Sequence, residues 1–270
     1  MQHKKVTTSL NISTYNWPEA LNLCLLSVKA LKALPDEVII ADDGSTDSTR
    51  QLVEKFQADF PVPVKHVWQP DEGFQLAKIR NKGIAASSGD YIIQIDGDLI
   101  LHPKFVADHI AFSRKGAFTG GSRVLLSKEY SEALIKSEKI NVRLLNGHTT
   151  NKLNGFRSPR LTRYLSDRYK LNDIYSLRGC NMAFWREDLL KVNGYNEDLT
   201  GWGREDSEIA MRLINKGISK RTLKFGGIAY HIYHRESGKE KLAENDQLLN
   251  DTIKSKITYC EKGISQYLNK

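Results

Sequence analysis

The run Tyr91-Ile92-Ile93-Gln94-Ile95, leading into Asp96-Gly97-Asp98, constrains this chain more than any other stretch. Its apolar, β-branched and aromatic residues are too few for a stable isolated helix and stop at a breaker, which predicts a buried strand. Such strands sit in parallel sheets covered on both faces, and ligands collect at their carboxyl ends. The two carboxylates therefore fall where a ligand is expected. Hard oxygen donors there suit Mg²⁺ or Mn²⁺, with water and substrate phosphate completing the coordination. An exposed Asp-Gly turn is the bland reading of the same residues.

The preceding sequence repeats the theme. Residues 5–13 read as a first strand ending in Ser13-Thr14-Tyr15-Asn16, and Pro18 suits the first turn of a helix over 19–34. A second strand at 38–41 runs into Asp42-Asp43-Gly44-Ser45, and Ser45 or Asp47 can cap a helix continuing through Phe56. A third strand at 62–68 and a helix over 73–87 complete the pattern. Strand and helix thus alternate up to Asp98, the signature of βαβ units in a parallel sheet. This predicts an α/β fold with a single Rossmann-like, doubly wound, mostly parallel sheet. The polar loops at 13–16, 42–45 and 96–98 would lie along one edge and converge on a nucleotide.

Beyond Asp98 the pattern loosens. A helix over 103–112 and one strand over 117–126 are expected, the strand carrying Gly120-Gly121. Basic residues dominate 136–170, with only Glu138 and Asp167 against them, and we read this as an irregular insertion lining the mouth of the site. Order returns at 176–184, and Asp188 opens a short helix that Gly194-Tyr195 closes. Gly201-Trp202-Gly203-Arg204-Glu205-Asp206-Ser207-Glu208 then places three carboxylates at a helix start, where the dipole favours their ionised form. His231 and His234 follow; such a pair is more often structural, but imidazole accepts Mn²⁺ and Asp98 needs further ligands. Residues 239–270 alternate Leu and Ile with many Lys, an amphipathic helix or two that packs on the domain or touches a membrane surface.

Composition bounds the partners. The formal charge of +8 calls for nucleic acid, an anionic membrane surface or a polyanionic small substrate. No zinc-finger spacing, RNP-like strand or basic zipper is present, which disfavours nucleic acid. The three cysteines, Cys24, Cys180 and Cys260, are widely separated and not spaced for zinc, so reduced thiols in a cytoplasmic protein are expected. No secretory h-region and no bilayer-spanning run is seen.

Taken together, Ser13-Thr14-Tyr15-Asn16, Ala41-Asp42-Asp43-Gly44-Ser45, Asp96-Gly97-Asp98 and Gly201-Trp202-Gly203-Arg204-Glu205-Asp206 resemble family 2 glycosyltransferases of the GT-A fold. The last motif also resembles the C-terminal half of galactosyl- and N-acetylgalactosaminyltransferases, including bacterial chondroitin-polymerase modules. The likeness spans about residues 5–235. It implies a GT-A domain over 1–235, with a nucleotide-binding half (1–100), an acceptor half (101–235) and a helical tail (236–270).

Carried over by position, the resemblance implies that Ser13, Tyr15 and Asp43 border the uridine of a UDP-sugar, Asp43 accepting from the base. Lys78, Arg80 and Asn81 would lie near the diphosphate or sugar. Asp96 would contact the ribose or donor sugar, and Gly97 and Asn181 count among the substrate-binding residues. Trp202 would form an acceptor-stacking floor, Glu205 would hold acceptor hydroxyls, and Asp206 would be the base. Asp98 would bind Mn²⁺ or Mg²⁺ with one of His231 and His234. His234 is favoured, since metal-dependent relatives place this ligand shortly before a basic loop such as 235–239.

The implied activity is inverting, metal-dependent transfer of a hexose or N-acetylhexosamine from a UDP-sugar to a glycan or lipid-linked saccharide, in bacterial surface polysaccharide synthesis. The implied location is cytoplasmic, at most peripheral on the inner face of the membrane. Two rival readings are a sugar-nucleotidyltransferase and a non-catalytic binding module of the same fold. The first lacks a Gly-rich triphosphate loop after its first strand, and the second needs neither Asp98 nor Asp206.

Overall fold

Four short runs in the first hundred residues form adjacent parallel strands in the computed structural model, which describes residues 5–145, 147–171, 173–235 and 238–268. They are β1 (Thr8–Thr14), β2 (Glu37–Asp42), β3 (Val64–Trp68) and β4 (Tyr91–Asp96). β1 lies between β2 and β4, with Ser13 level with both Ala41 and Asp96. The helices α1 (Pro18–Lys29), α2 (Asp47–Ala58) and α3 (Leu76–Ala86) supply the crossovers. β1, β2 and most of β4 are buried on both faces, their apolar residues in the core and polar ones such as Ser9 satisfied by neighbours, here the Glu37 carboxylate at 2.6 Å. α1 stops short of the expected Leu34, since that residue precedes Pro35 and is steered away from helix. β3 begins only after Pro61 and Pro63, which lack the N–H a ladder needs.

The second half completes this sheet and adds another. After β5 (Leu99–Leu101) and α4 (Phe105–Phe112), the stretch read as one strand divides into β6 (Ala117–Gly121) and β7 (Arg123–Leu126). The break has a packing cause. Buried Asn181 lies against Gly121, where any Cβ would overlap its amide, and it donates to the Ser122 carbonyl at 2.9 Å. Next come α5 (Lys128–Ser137), β8 (Thr149–Thr150), α6 (Pro159–Leu165), β9 (Asn181–Trp185), α7 (Arg186–Lys191), α8 (Glu205–Asn215), β10 (Ser219–Leu223), β11 (Ala229–His231) and α9 (Leu242–Lys254). The main sheet runs β10-β6-β9-β4-β1-β2-β3, with β9 antiparallel to both β4 and β6. The smaller sheet, β5-β11-β7-β8, stands beside the carboxyl end of β4.

The basic segment is more ordered than expected, and the C-terminal segment takes one of its two expected forms. The basic segment 136–170 contains a helix, and Arg157 is held by buried Asp108 through bonds of 2.9 and 3.1 Å. The segment after 239 is packed on the domain: Leu249 and Ile264 are buried, and Asn245 donates to the carbonyls of Thr200 and Gly203. No helix among the described residues is long and apolar enough to cross a membrane.

Candidate active site

The carboxyl ends of β1 and β4 open into a cavity of about 1130 Å³, closed on its far side by β7, β11 and the start of α8. This is the position the strand alternation predicts for a ligand. Of the residues singled out in the sequence, Ser13, Tyr15, Asp43, Arg80, Asp96, Gly97, Asp98, Trp202, Glu205, Asp206, His231 and His234 all line it. Lys78, Asn81 and Asn181 do not. Lys78 pairs with Glu72 at 2.8 Å, away from the cavity. Asn81 is buried and braces the chain at Tyr195, accepting from its N–H at 2.7 Å and donating to its carbonyl at 2.8 Å. The Asn181 amide is likewise committed, to His109 and to the carbonyls of Ser122 and Gly227. No described residue of 136–170 lines the cavity either.

On the β1–β2 side, Asp43 is buried and accepts from the Gln69 side chain at 2.6 Å and the Gln75 N–H at 2.9 Å. Burial dominates those bonds and pushes its carboxyl up to about 6. Tyr15 stands half exposed at the rim, its hydroxyl donating to Asp71 at 2.8 Å.

At the centre, one oxygen of Asp98 faces two imidazoles, His231 Nε2 at 3.4 Å and His234 Nε2 at 3.2 Å. The other, Oδ1, is buried and has no partner among the described residues. β5 and β11 bring the set together, because His231 is level with Leu99, the residue after Asp98. Burial works against the ionised form of Asp98, but His231 and His234 outweigh it and hold the carboxyl below its ordinary value. Burial lowers His231, whereas the bond to Asp98 raises His234 to about 9. The potential ligand atoms of the three residues lie within 4.8 Å of one another, and an orphaned buried carboxylate oxygen among two imidazoles fits a divalent cation. Both histidines are therefore placed to contribute.

Arg80 joins this centre to the start of α8. Its guanidinium is almost fully buried, 3.0 Å from Asp96 and 3.2 Å from Glu205. Burial and the adjacent Asp206 push the Glu205 carboxyl up to about 7, against the pull of Arg80. Asp206 is oriented independently: it accepts the Gly179 N–H at 3.0 Å. Arg204, at φ 78°, makes the left-handed turn that starts α8, and its guanidinium lies 5.5 Å over the Tyr175 ring. Trp202 stands beside it, partly exposed in the cavity wall.

Arg123 was not singled out by the sequence reading. It lines the cavity with a largely buried guanidinium, bonded to Cys180 Sγ at 3.4 Å and close enough to Asp96 and Asp98 for both to favour its charge. Its only signal was a position just after Gly120-Gly121, inside what read as a continuous strand.

A parallel sheet with aspartates at its carboxyl edge, joined to an acid-rich helix start across one cavity, defines a glycosyltransferase of the GT-A fold. The chain belongs to glycosyl transferase family 2, which it matches over residues 9–192, and residues 160–235 match the N-terminal domain of galactosyltransferase. Among curated relatives, chondroitin synthase of Escherichia coli is 27% identical over 262 residues, covering 91% of this chain. The chain spans 37% of that relative's length. Among solved structures, residues 1–349 of TarS from S. aureus superpose with a TM-score of 0.65 at 18% identity, covering 97% of this chain and 68% of that one. The mannosyltransferase PcManGT from Pyrobaculum calidifontis, solved with GDP-Man and Mn²⁺, gives 0.59 at 16% identity, covering 86% and 59%.

Proposed function

We propose that this enzyme transfers a hexose or N-acetylhexosamine from a UDP-sugar to a saccharide acceptor, free or lipid-linked, with inversion and with the help of a divalent cation. The observation that carries the proposal is the pair of independently held carboxylate centres in one cavity: Asp98 between two imidazoles, and Asp206 on the Gly179 N–H. TarS, solved in complex with UDP-GlcNAc, and the chondroitin synthase relative support a sugar nucleotide and a glycan as the two substrates, and a role in polysaccharide synthesis.

Asp43 accepts from the uracil on the β1–β2 side of the cavity, with Ser13 and Tyr15 beside it. Asp96, fixed by Arg80, holds ribose or donor-sugar hydroxyls. Asp98, His231 and His234 would hold Mn²⁺ or Mg²⁺, which supplies positive charge to the departing diphosphate. On the other side, Trp202 offers a flat apolar face to the acceptor sugar and Glu205 receives its hydroxyls. Asp206 removes the proton of the attacking hydroxyl as its oxygen bonds to C1 of the donor. The C1–O bond to phosphate breaks, and its electron pair leaves with UDP. One base and one displacement give a β-linkage from an α-linked donor.

The test is a panel of UDP-sugars incubated with Mn²⁺ and scored for UDP release, with and without saccharide acceptors. Release should disappear in excess EDTA and in Asp98→Ala, whose fold should remain intact by circular dichroism. Full turnover in EDTA would sink the metal part of the reading. Formation of pyrophosphate from NTP and sugar phosphate would replace the whole of it.

A further inference from the structure

We infer that the face formed by residues 143–145 and 147–168 is a docking surface for an anionic lipid bilayer. Leu145 and Leu153 are 83% and 67% exposed, the two most exposed large apolar side chains among the described residues. Phe156, Leu161 and Tyr164 lie about half exposed or more in the same segment. The fold makes them neighbours. Gly155 sits directly under the Leu144 side chain, which brings Leu145 beside the turn carrying Leu153 and Phe156. α6 then turns buried Thr162 inward, leaving Leu161 and Tyr164 three apart on its outer side.

Exposed cations are interleaved with this apolar set. Arg143, Lys152, Arg160, Arg163 and Arg168 are all exposed. None of them pairs with a carboxylate among the described residues. The single acid of the segment is already taken: Asp167 is held by Arg221 and Arg114.

Charge alone would suit any polyanion, including an anionic glycan. The aliphatic component separates the candidates. Leucine side chains at high exposure gain nothing from a hydrated polyanion, but they gain burial on entering the headgroup region of a bilayer, while Arg and Lys stay at the phosphates. The C-terminal segment is the weaker candidate, because part of its stripe is used internally: Leu249 and Ile264 are buried, and its exposed large apolar residues among those described, Ile257, Tyr259 and Leu268, are all under half exposed. The face also has a direct relation to the cavity. Asn154 donates to the backbone carbonyl of Arg123 at 2.9 Å, so the surface backs the strand whose other residues line the site.

Co-sedimentation of the full chain with phosphatidylglycerol-rich vesicles, against pure phosphatidylcholine, tests this. Binding should be confined to the anionic vesicles and weaken with salt. The Arg160→Gln, Arg163→Gln pair should lower the partition coefficient about 30-fold, from roughly 1 kcal/mol per basic residue at the surface. The Leu153→Ser, Leu161→Ser pair should lower it at least about tenfold. Both pairs are exposed, so thermal midpoint and UDP release should stay at the parent's values and show that the variants are folded. The Ile257→Ser, Leu268→Ser pair should leave binding unchanged. Loss confined to this last pair, or equal binding to neutral vesicles, would overturn the inference. Loss in the arginine pair with full retention in the leucine pair would also overturn it, and assign the face to a soluble polyanion.

Discussion

Asp206 and Glu205 are adjacent in sequence yet held by different parts of the molecule, one by the Gly179 backbone and the other by Arg80. That difference should separate their roles in kinetics. Asp206→Asn keeps the shape and the Gly179 contact but removes the proton acceptor. Turnover should fall by on the order of 10²–10⁴ with UDP-sugar affinity nearly unchanged. Glu205→Gln should chiefly raise the acceptor KM. If both residues only started α8, thermal stability would drop and turnover per folded molecule would not, so both quantities should be measured on one preparation. His231 and His234 illustrate a limit of reading residues in sequence. Their spacing identifies a pair, but only the register of β11 against β5 shows that both reach Asp98.

At the scale of elements, the alternation up to Asp98 was legible because each strand is five to seven residues long and bounded by turn residues, with β2 and β4 mostly apolar. The smaller sheet was not. Its strands contain two to four residues, too few to display a period of two. The break at Ser122 was hidden for another reason: it depends on Asn181, some sixty positions away, whose amide takes the space beside Gly121. The same distance concealed that Asn181 braces the fold and does not line the cavity. Gly121→Ala should accordingly destabilise the protein by about 1–3 kcal/mol through overpacking, measurable by urea denaturation.

His109 belongs to this crossing. It is fully buried on α4, bonds to Asn181 at 3.0 Å, and burial holds it down at about 4. The unfolded chain takes up the proton near pH 6.5, before the native state does. Stability is therefore complete above about pH 6.5 and declines as pH falls toward 4, by about 3 kcal/mol in total. His109→Gln should flatten that part of the stability–pH curve in urea melts; an unchanged slope would place the titration elsewhere.

At the scale of the whole molecule, the main sheet does not respect the proposed division into a nucleotide half and an acceptor half. β4, whose end carries Asp96, is flanked on one side by β1 and on the other by β9, which lies about ninety residues further along the chain. During synthesis the first four strands must therefore wait with an open edge of high β-propensity until Asn181–Trp185 emerges from the ribosome. A fragment ending after α4 would retain Asp43, Asp96 and Asp98, yet light scattering should find it aggregated at concentrations where the full chain is monodisperse. Pairing over such a separation also makes closure of the sheet a late event, so refolding from urea should be slow compared with a local βαβ unit of the same size.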